Sequence, residues 1–207
     1  MITDPAFAAH LWLYALLVLG IIALPGMDMA FVMASALADG RSSGLVATAG
    51  FVCGGAVHVA MGATGVGLLL QHSPLAFDAL LLAGGLYVAW IGVGLLRHAG
   101  ALVALGDAPS RPLGHTFGRA VVTCLLNPKA YVFTIAVLPQ FIVPRAGPVA
   151  AQAAVLWALG AAAQVLVYGA VALTAARLRT WMRGSAAAQA RLGRSVGLLL
   201  VAAAAMT

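Results

Sequence analysis

Six times along this chain the charges stop and an apolar run begins, at about 7–38, 45–70, 75–96, 120–141, 149–176 and 195–207. A membrane-spanning helix needs about 20 such residues. In lipid every backbone N–H and C=O must be paired within the protein, so runs of this kind fold as helices. Of the 207 residues, 63% are hydrophobic and 8% charged, against about 25% charged in a soluble domain. There are too few charges here to cover a water-facing surface. The last run is short for a full span unless it begins near residue 186. The expected fold is therefore all-α, a polytopic membrane protein of six transmembrane helices forming one membrane domain over 1–207.

The positions of the arginines orient these helices. The first, third and fifth connections hold Arg41, then Arg97, Arg111 and Arg119, then Arg177, Arg179, Arg183, Arg191 and Arg194; the second and fourth hold only Arg145. Nine against one puts the odd connections in the cytoplasm and both termini on the outer side. The first twenty residues contain no Lys or Arg, which does not fit a cleaved signal peptide, so the first run is expected to stay as a helix. The net charge of +6 reads as topology and lipid-headgroup contact, with no nucleic-acid partner.

The stretch 97–118, rich in Gly, Pro, Ser and Asp, reads as a linker between a first repeat at about 6–96 and a second at about 119–207. Three helices per half is an odd number, so the halves must lie in the membrane in opposite senses, as inverted repeats. Each half carries a proline break in its first helix. Residues 6–38 would make about 50 Å of straight helix against a hydrocarbon core of about 30 Å. Pro25 lacks a backbone donor and Gly26 adds freedom, so a break at Leu24–Gly26 is expected, with Asp28 in the first turn beyond it. The N–H groups freed there could bind a ligand carboxylate.

The fourth run holds the only lysine. Asn127 and Lys129 bracket Pro128 about nine residues from the cytoplasmic end, roughly 13 Å deep. A buried ammonium beside a helix breaker marks a functional site. Unwound backbone at this depth belongs inside protein or beside a wet cavity. If the two breaks face each other, Lys129 and Asp28 supply a cation for the carboxylate of a zwitterionic amino acid and an anion for its amine. The competing reading is a static buried ion pair, which is weak evidence for stability.

Other polar residues within the runs are His58, a proton relay or a packing histidine, and Gln164 with Tyr168, one turn apart and able to line a polar cavity. Gly50 and Gly54 form a G-x-x-x-G suited to close helix packing. Cys53 and Cys124 form no C-x-x-C and read as packing thiols. No phosphate loop, zinc motif or serine-nucleophile motif is present, so no cofactor, metal or enzymatic activity is expected.

At these residues the chain resembles the LysE/RhtB family of amino-acid exporters over nearly its whole length. The likeness rests on Pro25-Gly26-Met27-Asp28, Ala38-Asp39-Gly40-Arg41-Ser42-Ser43-Gly44, Leu86 to Gly92, Phe117-Gly118-Arg119, Leu126-Asn127-Pro128-Lys129-Ala130 and Leu138-Pro139-Gln140-Phe141. The family's first motif usually has a second proline where Met27 stands, so here the kink is less enforced and one more N–H is available. The resemblance implies a bacterial inner-membrane exporter of amino acids or their derivatives, driven by the proton gradient. It maps site roles onto Pro25, Gly26, Asp28, Asn127, Pro128 and Lys129. The residues themselves add Gln164 and Tyr168 for substrate and His58 beside Asp28 for the proton. A homo-oligomer is compatible with this pattern. The alternatives are an exporter of inorganic ions or other small metabolites on the same scaffold, and a non-transporting membrane subunit.

Overall fold

The computed structural model describes residues 5–64, 111–143 and 147–181 continuously, with isolated helical positions within 75–96 and 187–201. Every element among these residues is helical: α1 (Pro5–Ala23), α2 (Met27–Asp39), α3 (Arg41–Ala63), α4 (Leu113–Leu125), α5 (Pro128–Ala136), a 3-10 turn (Leu138–Phe141) and α6 (Val149–Trp181). By length and composition α3 and α6 can each cross a membrane, and up to four spans result if each bent pair counts as one.

Both expected breaks are present. α1 and α2 meet at 56°, and α4 meets the segment 128–141 at 55°. Gly26 is extended between α1 and α2, and Asp28 sits in the first turn of α2, where a carboxylate suits the helix dipole. The second break follows helix-start grammar. Asn127 is the N-cap of α5, with its side chain accepting from the Lys129 N–H, and Pro128 occupies the first helical position. Pro128 also keeps Asn127 extended, which ends α4.

Two boundaries differ from expectation. α4 begins at Leu113, inside the stretch 97–118 taken as linker. Gly114 and Gly118 disguised it, but Thr116, Ala120, Thr123 and Cys124 make one buried face. α6 runs on to Trp181, carrying Arg177 and Arg179 within the same helix. Most of the expected third and sixth helices, and Asp78, lie outside the described residues.

α3 is central, packing on α2, α4 and α6, while α1 leans on α6. Glycines make the close approaches. A β-carbon on Gly50 would stand 2.7 Å from Ala120 Cβ, one on Gly54 2.6 Å from Cys124 Cβ, and one on Gly44 2.8 Å from the Cβ atoms of both Ala36 and Ala172. Aromatic rings link the layers, Phe31 to Phe51 at 5.9 Å and Phe51 to Tyr168 at 5.7 Å. Trp12, Leu16, Leu166 and Val165 point outward, a surface suited to lipid.

The junction of α2 and α3, the start of α4 and the last turn of α6 lie at one end. Gly40, at φ +89°, joins α2 to α3 without a loop, and Arg179 Nη1 lies 3.2 Å from where its β-carbon would be. At the same end Ser43 and Thr116 hydroxyls lie 3.3 Å apart, linking the starts of α3 and α4. At the other end His10 meets Phe141 edge-on at 6.1 Å. There buried Gln152 makes three hydrogen bonds to main chain. It accepts from Val143 N at 2.9 Å and donates to Val143 O at 3.0 Å and Gly147 O at 2.9 Å.

Candidate functional site

The two bends bring their polar residues together. Asp28, 4% exposed, accepts from Asn127 Nδ2 at 2.7 Å through Oδ1, and from Tyr168 Oη at 3.4 Å through Oδ2. Asn127 also receives the Lys129 N–H on Oδ1 at 3.0 Å, so one amide caps α5 and anchors the carboxylate of α2.

Lys129 reaches across to the end of α1. Its Nζ donates to Ile21 O at 3.0 Å and to Leu24 O at 3.2 Å. These carbonyls are left over where α1 stops, the electronegative end of a helix, so a cation there is favoured. The ammonium thus meets the freed carbonyls of α1. Gly26 leaves room for it, because a β-carbon at that position would stand 3.3 Å from Nζ.

Asp28 and Lys129 line one cavity of about 90 Å³ together with His58, Gln164 and Tyr168. At roughly 30 Å³ per water this is about three waters, room for a small polar ligand. Pro25, Gly26, Asn127 and Pro128 do not line it; they set the backbone and hold the residues that do.

His58 is 3% exposed, its ring edge-on to Tyr131 at 4.6 Å and its Nε2 2.9 Å from Cys124 O. Its Nδ1 is buried with no hydrogen-bond partner among the described residues. A buried polar atom left unpaired costs about 1–3 kcal/mol, a cost that functional sites tend to carry. Gln164 lies over Gly55, one turn before His58 on α3, with Oε1 3.4 Å from where a β-carbon of residue 55 would be.

Of the sequence-derived candidates, Asp28, Lys129, His58, Gln164 and Tyr168 converge on this cavity. Tyr14, Phe133 and Trp157 also line it and were not anticipated. Aromatic residues in apolar helices usually pack or face lipid, and spacing alone does not separate them. Gly55 on α3 and Gly160 on α6 also line it and were the available signal, since a missing side chain leaves space between helices.

The family model for LysE type translocators matches residues 19–207. A homoserine/homoserine lactone efflux protein of Salmonella typhimurium is 32% identical over 160 residues, 77% of this chain and 77% of its own. An uncharacterized membrane protein of Pseudomonas aeruginosa is 31% identical over 195 residues, 92% of this chain and 90% of its own. A leucine efflux protein of Klebsiella pneumoniae is 32% identical over 124 residues, 59% of this chain and 58% of its own. No solved structure matches.

Proposed function

The chain belongs to the LysE type translocator family, and from that premise we propose that it is a secondary transporter exporting amino acids or their close derivatives across the bacterial inner membrane, driven by the proton gradient. The observation that supports this most is the meeting of Asp28 and Lys129 at one polar cavity, each delivered by a broken helix. Transporters built from discontinuous helices hold charged substrates at such breaks. The relatives named for homoserine and leucine efflux support this substrate class.

In this mechanism Lys129 exchanges the Ile21 and Leu24 carbonyls for the substrate carboxylate, with the open first turn of α2 contributing N–H donors. Asp28 holds the substrate ammonium and, in alternation, the coupling proton. A proton reaching a neutral His58 can enter only at Nδ1, because Nε2 is committed to Cys124 O. Two inverted halves of three helices rock to open the cavity to each side in turn. The shared end of Gly40, Thr116 and Arg179 supports a cytoplasmic placement of the arginine-bearing connections, with the termini opposite.

The test is reconstitution. Proteoliposomes loaded with an amino-acid mixture are given a proton gradient of either sign, and the released compounds are identified. Gradient-dependent release of one or a few amino acids is expected. Release independent of the gradient removes the coupling, and release of none removes amino-acid export itself.

A further inference from the structure

The cavity does not sit midway between the two ends of the molecule. α2 lends it Asp28, from its first turn, and α4 lends Cys124, from its last; no other described residue of either helix lines it. α3 lends Gly55 and His58, both from the half farther from Arg41. About 16 Å of helix lies between Asp28 and Asp39, and as much between Cys124 and Leu113. That layer is solid. Phe31 and Ala36 on α2, Ala47 on α3, Ala120 on α4 and Ala172 on α6 are all buried in it. Interiors packed this way leave no path for a solute. The Gly40 end is therefore shut, and a cargo can pass only if this layer parts.

One charged residue crosses the layer. Arg119 on α4 is half-buried, with its guanidinium carbon 5.8 Å from the centroid of the Phe31 ring on α2 and 5.7 Å from that of the Trp90 ring. It joins α4 to two parts of the chain that come before the stretch 97–110. One turn earlier on α4, Thr116 makes the hydroxyl contact to Ser43 of α3. Arg119 does not line the cavity. Resting on transport as the function, we infer that Arg119, seated between Phe31 and Trp90, is the latch that keeps the cavity closed to the Gly40 end and lets go when the layer parts. The faces of aromatic rings attract a cation, and the contact is weak enough to break and re-form. A guanidinium released from the rings is taken up by the entering water, so opening costs less than it would for an apolar plug.

Labelling of sealed vesicles of either sidedness with a membrane-impermeant maleimide tests the latch. Ser42→Cys, at an exposed position, marks the membrane face that carries the Gly40 end, and Ala161→Cys reports from the cavity wall. The wild type, with Cys53 and Cys124, sets the background. Ala161→Cys alone should resist label from the face that labels Ser42→Cys. Adding Arg119→Leu or Trp90→Leu should raise that rate severalfold, and Arg119→Lys, which keeps the cation, should bring it back toward the Ala161→Cys value. Fast labelling of Ala161→Cys alone from that face overturns the latch. So does a slow rate that neither Arg119→Leu nor Trp90→Leu changes, and so does a rise that Arg119→Lys shows in full, which would make it a loss of packing. If one of the two leucine variants fails to insert, the other decides. Labelling reads access and not export, so failure of the latch leaves amino-acid export standing.

Discussion

Asn127 donates to Asp28 at 2.7 Å, a hydrogen bond between residues 99 apart in sequence that pins one helix break to the other. The same side chain caps α5 through the Lys129 N–H. Position and charge at the cavity are therefore set by one amide, and its two duties can be separated.

Asn127→Ala loses both duties. Loss of the cap costs about 0.5–2 kcal/mol, and the Asp28 carboxylate loses a hydrogen bond worth about 1.5–3 kcal/mol. Both the thermal midpoint of the purified protein and its export rate should fall. Asn127→Asp keeps an N-cap acceptor but sets a carboxylate against Asp28; export should drop while the midpoint falls less than for Asn127→Ala. Equal midpoints for the two variants would show that the cap matters little.

Asp28→Asn retains size and hydrogen bonding to Tyr168 and removes the titratable charge. Gradient-driven export should be abolished while membrane-inserted protein, measured by immunoblot of washed membranes, stays at the wild-type level. Export at the wild-type rate would remove Asp28 from the coupling step.

Lys129→Met removes the cation that holds Ile21 O and Leu24 O, and substrate binding should be lost. Unchanged export by this variant would leave Lys129 with a structural role alone, closing off the end of α1. Gly26→Ala is the graded version. Its β-carbon would sit 3.3 Å from Nζ, so KM should rise several-fold with little change in abundance, as read by export kinetics on normalised vesicles.

Gly54→Val serves as the contrast. A β-carbon there would stand 2.6 Å from Cys124 Cβ on the α3–α4 contact. Overpacking of this kind costs about 1–3 kcal/mol. The expected signature is the reverse of that for Asp28→Asn: a lower thermal midpoint and less folded protein in size-exclusion chromatography. A midpoint equal to the wild type would mean that α3 and α4 separate easily.

The breaks were legible in the sequence because proline and glycine act through the backbone, and the membrane class because apolar length is decisive. Asp28 and Lys129 stood out as isolated charges within apolar runs, and both line one cavity. The start of α4 at Leu113 was hidden because two glycines and a threonine outweigh its apolar face in any local reading. The double duty of Asn127 is a long-range contact that no local pattern encodes, although Asn before Pro is helix-start grammar. Tyr14 and Trp157 were missed because an aromatic residue beside a cavity looks the same, in sequence, as one facing lipid.

Gln152 turns the connection between α5 and α6 from a string into a strut. Its three hydrogen bonds grip the main chain at Val143 and Gly147 and tie both to the start of α6. Lys129 on α5 and Gln164 with Tyr168 on α6 thus belong to helices clamped together at one end, so two sides of the cavity share one mechanical frame.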